Sequence, residues 1–144
     1  MNTATSNVVS LEPAAKESSD APLVILLTSG PDDGGKRATL AYTAACTSLG
    51  MEKRTRIFLV GDGAFWGYEG HAAGIHMNGF PALDELTGMF RDLGGETYIC
   101  STCDQVCGIP SDGEPGNRVR RREVHPCGMA SILPEITRGS SITF

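Results

Sequence analysis

The chain has 144 residues, a net charge of −5 at neutral pH, 40% hydrophobic residues and eighteen glycines. This length fits one domain that buries an ordinary core without staples. The acidic balance argues against a general nucleic-acid binder, which needs excess Lys and Arg against phosphate, and no apolar run approaches the roughly 18 residues of a membrane span. Residues 1–22 are rich in Ser, Ala, Thr and Glu with little apolar periodicity. They read as a flexible leader, without the basic-then-apolar order of a secretory signal. A cytoplasmic protein is expected, and five cysteines, an odd number, fit its reduced thiols better than a disulfide framework.

The continuous apolar run Leu23-Val24-Ile25-Leu26-Leu27 predicts a strand buried on both faces. After the turn Pro31-Asp32-Asp33-Gly34-Gly35, residues 36–49 predict a helix whose apolar stripe is Leu40, Ala41, Ala44, Ala45 and Leu49, with Gly50 as its stop. Residues 55–60 predict a second strand, halted by Gly61-Asp62-Gly63, and an irregular stretch follows over 64–80. There Phe65, Trp66, Met77 and Phe80 lie where a monomer would struggle to bury them, which points to self-association. A helix is expected over 81–93, a third strand over 97–100, a polar turn over 111–117, a fourth strand over 118–124, a helix over 129–136 despite Pro134, and a fifth strand over 140–144. Strands alternating with helices predict one α/β domain over 23–144, a three-layer α/β/α sandwich around a five-stranded, mainly parallel sheet.

Gly30 to Lys36 spells the first part of a phosphate loop, G-x-x-x-x-G-K, between strand and helix. Arg37 stands where a Ser or Thr should meet magnesium, and Asp32 and Asp33 set two negative charges against any phosphate. A glycine-rich turn bordering a pocket is the better reading, with no nucleotide affinity for Lys36→Ala to remove. His71 and His76 read as ordinary loop histidines, and the run Arg118, Arg120, Arg121, Arg122 as a solvated strand edge.

The densest chemistry is Cys100-Ser-Thr-Cys103-Asp-Gln-Val-Cys107, at the end of the third expected strand. Ligands of parallel α/β proteins bind beyond the carboxyl ends of the strands. Three readings are open. Cys100, Cys103, Cys107, His125 and Cys127 offer metal ligands, although His125-Pro126-Cys127 is a poor second half-site. Cys100 and Cys103 have the spacing of a redox dithiol. Lastly, a thiol between a strand end and a helix start suits a nucleophile, since the helix dipole favours thiolate. Cys46, inside the first helix, reads as core.

The segments Val24-Ile-Leu-Leu-Thr-Ser-Gly30, Ile57-Phe-Leu-Val-Gly-Asp-Gly-Ala64, Tyr98-Ile-Cys-Ser-Thr-Cys103, Gly108-Ile109 and Ser141-Ile-Thr-Phe144 resemble, in order and spacing, the DsrE/DsrF-like family. The resemblance implies a flavodoxin-like sandwich and assembly into homotrimers or homohexamers. It also implies a sulfur-relay role as sulfur carrier or sulfurtransferase, passing sulfane sulfur between donor and acceptor proteins with no cofactor. Cys100 matches the position that carries the persulfide, and Cys103 the second cysteine of relatives with C-x-x-C. On this reading Cys100 is the exposed, low-pKa thiol, Cys103 resolves its persulfide, and amides of the Gly30–Gly35 loop steady the anion. The rival reading is a binding or regulatory module with thiol-bound zinc or a small ligand at the same edge.

Overall fold

A computed structural model describes residues 21–107 and 118–144. The expected leader up to residue 20, the Gly108-Ile109 segment and the polar turn at 111–117 lie outside the described residues. Among those described, five strands are present: Leu23–Leu27 (β1), Thr55–Leu59 (β2), Glu96–Cys100 (β3), Val124–Cys127 (β4) and Ser140–Thr143 (β5). They form one sheet in the order β4-β3-β2-β1-β5, every neighbouring pair parallel. The helices are Lys36–Gly50 (α1), Leu83–Asp92 (α2), Ser101–Cys107 (α3) and Met129–Arg138 (α4). None of them is long and apolar enough to cross a membrane.

Strand order explains the layers. β1 to β4 follow one another across the sheet, and right-handed crossovers then put α1 and α2 on one face. The chain returns from β4 past β1 to reach β5, so the same rule puts α4 on the other. Strand side chains alternate accordingly. Ile25, Leu27, Ile57, Leu59 and Ile99 pack with Ala41 and Tyr42 of α1 and Leu86 and Phe90 of α2. Val24, Phe58 and Cys100 pack with Ile132 of α4. Each fully buried side chain of this size contributes about 1.5–3 kcal/mol of transfer free energy. The sandwich is thus the α/β/α arrangement expected from the strand–helix alternation, and it is flavodoxin-like as the family resemblance implies.

Two expectations need correction. The fourth strand is Val124–Cys127, not 118–124. Arg120 makes an isolated antiparallel bridge to Tyr68, and the backbone turns at Arg122 and Glu123 before pairing begins. Pro126 is tolerated inside β4 because this is an edge strand, where a missing N–H need not break a ladder. Secondly, the irregular stretch does not strand its aromatic residues. Trp66 is only 1% exposed and donates its indole N–H to the Ser29 carbonyl at 2.8 Å, while Phe65, Met77 and Phe80 are half-buried. The argument for self-association from these four residues therefore falls. Exposed apolar side chains lie elsewhere, with Met129 and Leu133 one turn apart on α4.

Trp66 is drawn in by a 3-10 turn over Gly61–Gly67 that leaves β2 and crosses the end of β1. Gly63 permits that crossing, because a Cβ there would collide with the Leu27 carbonyl oxygen.

Candidate thiol site

Cys100 is the last residue of β3 and α3 starts with the next one, so the C-x-x-C pair straddles the carboxyl edge of the sheet. The alternation of β3 turns Cys100 to the α4 face, where it is 9% exposed. Cys103, in the first turn of α3, is half-buried and touches both core clusters. Its Sγ accepts the Gly61 N–H at 3.2 Å. Gly61 has φ +62, a left-handed conformation that suits glycine, and this aims its amide across to α3. The expectation that Cys100 is the more accessible thiol is corrected: α4 covers its face, while Cys103 lies at the rim with a backbone donor on its sulfur.

Asp104 fixes α3 in place. It accepts the Tyr68 hydroxyl at 2.6 Å and the Arg120 guanidinium at 3.0 Å, one on each carboxylate oxygen. Arg120 also donates to the Val124 carbonyl at 3.1 Å, tying the helix to the start of β4. Sequence reasoning missed this trio, since its members are far apart in the chain. The only local signal was an Asp in the first turn of a helix.

The glycine-rich turn has a different task from the one expected. Asp33 accepts the N–H groups of Gly35, Lys36 and Arg37 at 2.9, 3.2 and 3.0 Å. The first amides of α1 are thereby occupied by this chain's own carboxylate, and the amide facing a cysteine comes from Gly61 instead. The turn does border a cleft of about 300 Å³ at the carboxyl edge, lined by Thr28, Ser29, Gly30, Asp32 and Asp62 among others. Burial pushes the Asp33 carboxyl up, but the three amide bonds and Arg37 outweigh it and hold the group below the usual carboxylate range. A lowered folded pKa stabilises above the unfolded value of about 3.9 and loses that contribution as pH falls through the folded one. Asp33→Ala is expected to cost about 0.5–2 kcal/mol at neutral pH. In urea titrations the gap from wild type should shrink below about pH 3.9; a pH-independent gap would refute the charge-based account.

The remaining candidates divide clearly. Cys46 packs on the core with its thiol 3.6 Å from the Leu86 carbonyl, and burial pushes its pKa up, as suits an inert core thiol. His71 stacks on Phe65 and donates Nδ1–H to the Phe65 carbonyl at 2.6 Å, while His76 bonds the Phe80 carbonyl at 2.7 Å; both fasten loops. The Arg121 side chain is largely buried rather than solvated, bonded to Tyr42, Trp66 and Glu123. Among the described residues no group of three or more His, Cys, Asp or Glu is arranged to hold a metal ion. His125 and Cys127 do lie beside the C-x-x-C edge, as register partners of Tyr98 and Cys100.

Two solved structures share this architecture. The ychN protein from E. coli has a TM-score of 0.64 at 16% identity, covering 85% of this chain and 98% of that one. BT1422 from Bacteroides thetaiotaomicron, a conserved protein of unknown function, has a TM-score of 0.55 at 14% identity, covering 88% and 97%. At such identities the likeness speaks for the fold alone. None of the curated proteins matches the chain. The sequence itself carries the kinship, since the model of the DsrE/DsrF-like family matches residues 22–142, from the start of β1 into β5, and the chain belongs to that family.

Proposed function

We propose that this protein relays sulfane sulfur, holding it as a persulfide on Cys100 and exchanging it with partner proteins through Cys103. The observation that carries the reading is the asymmetry of the C-x-x-C pair: a buried thiol ends β3, and a half-exposed thiol one turn on accepts a backbone N–H. A donor persulfide meets Cys103 first. The Cys103 thiolate attacks the donor's outer sulfur, becomes Cys103–S–SH and releases the donor thiolate. Cys100 then takes the outer sulfur from Cys103, and the burial that makes it hard to reach also shields the persulfide from stray thiols. The Gly61 amide favours negative charge on the Cys103 sulfur at each exchange. No cofactor takes part. Assembly into a trimer or hexamer belongs to the same proposal, and the Met129–Leu133 stripe of α4 is one exposed apolar surface among the described residues that could serve it.

The experiment is intact-mass and metal analysis of protein purified without chelators, before and after treatment with inorganic polysulfide. A gain of ~32 Da that reductant removes, mapped to Cys100, is expected. Stoichiometric zinc with no such gain would replace the relay with a metal-binding module.

A further inference from the structure

The relay leaves Cys127 without a task, yet the sheet sets it beside the carrier. Cys127 closes β4 as Cys100 closes β3, and the two are register partners. Partners on adjacent parallel strands point to the same face, with the strands about 4.8 Å apart, inside the ~4.4–6.8 Å that a disulfide spans between Cα atoms. Both side chains belong to the cluster beneath α4. Cys103 packs against the same cluster, but its sulfur also accepts the Gly61 amide beyond the end of β2.

Cys127 sits just before the start of α4, against the face that Cys100 shares. Its Sγ lies 3.4 Å from the Gly128 carbonyl, and Gly128 is the N-cap of α4. Burial pushes its pKa up and the neighbouring Cys100 adds to that, while the Arg56 guanidinium and a hydrogen bond with Ser131 pull it down. Arg56 is itself fixed between Glu96 and Glu135, both at 2.8 Å.

On the reading that Cys100 carries sulfane sulfur, we propose that Cys127 is its resolving thiol, closing a Cys100–Cys127 disulfide across β3 and β4 and releasing the sulfur as hydrosulfide. Cys127 gives up its proton and attacks the inner sulfur of Cys100–S–SH. The Cys100–Cys127 bond forms, the bond to the outer sulfur breaks, and that sulfur leaves as HS⁻, which takes the proton. The two cysteine sulfurs are together oxidised by two electrons and the sulfane sulfur accepts both, so no further oxidant is needed. A thiol reductant reopens the bond to the starting dithiol.

The test loads the full chain with inorganic polysulfide, removes the excess, and follows intact mass, released sulfide and non-reducing peptide maps. A gain of ~32 Da should give way to a species ~2 Da lighter than the reduced chain, with sulfide released and Cys100 linked to Cys127. Cys127→Ser and Cys127→Ala should each prolong the persulfide about tenfold or more, and Cys103→Ser should leave the link in place. A gain of mass followed by a link from Cys100 to any other cysteine overturns the resolving role and leaves the carrier intact, as does decay at the wild-type rate in both Cys127 variants. No gain of mass overturns both. The map of the unsubstituted chain needs no variant, so misfolding of one cannot blur the result.

Discussion

Cys100→Ser is expected to lose stored sulfur almost entirely, with the fraction of chain still carrying ~32 Da after desalting falling about tenfold or more. Cys103 remains in this variant and still attacks polysulfide, but its persulfide lies at the rim of the carboxyl edge, open to any passing thiol. Storage needs the face covered by α4, where Cys100 is 9% exposed. Cys103→Ser should behave in the opposite way. Inorganic polysulfide is small and still reaches Cys100, so loading from it persists. Loading from a persulfidated protein donor should slow about tenfold or more, because a bulky donor thiol cannot approach a buried sulfur. The pair of variants therefore separates entry from storage. If Cys100→Ser holds sulfur as long as wild type, storage belongs to Cys103; if neither variant changes loading from either donor, the relay is wrong for this chain.

The parts of this site that sequence could show are those set by local chemistry. Leu23–Leu27 is apolar at every position, five residues long and bounded by turn signals, which suits a strand covered on both faces. Cys100 and Cys103 were placed correctly at a strand end and helix start because Thr97-Tyr98-Ile99 is β-prone and turn signals follow. Their unequal burial was not legible, since it depends on α4 folding back from beyond β4 and on an amide 42 residues away. The partner of Cys100 was hidden for a similar reason: Cys127 becomes its neighbour only through the strand order β4-β3-β2. The arginine run misled most. A dense basic segment ordinarily stays in water, and nothing within 118–122 shows that Arg121 alone turns inward to meet Tyr42 and Trp66, 79 and 55 residues away.

That inward arginine carries the largest stability effect expected here. The Arg121 side chain is 12% exposed. Its Nη1 donates to Glu123 at 2.7 Å, and its Nη2 to the Tyr42 hydroxyl at 3.0 Å and the Trp66 carbonyl at 2.9 Å. Burial works against the charge, but Tyr42 and Glu123 outweigh it and hold the guanidinium pKa above its ordinary value. One side chain thus joins α1, the 3-10 turn after β2 and the segment before β4. Arg121→Ala removes the cation and leaves the Trp66 carbonyl without this donor and Glu123 without this partner, a class of change that costs about 3–5 kcal/mol. Domains are stable by only about 5–15 kcal/mol, so urea unfolding should shift sharply. Arg121→Lys should recover only part of the loss, because an ammonium is a compact point charge and cannot spread its donors as the planar fork does. Below its unfolding transition, Arg121→Ala should still take up sulfur from polysulfide, since none of these bonds touches a thiol. A loss under about 1 kcal/mol would instead mean that water replaces the guanidinium at little cost and that the network is not a buried one. A large loss with normal loading in the folded range would separate what holds the carboxyl edge together from what performs its chemistry.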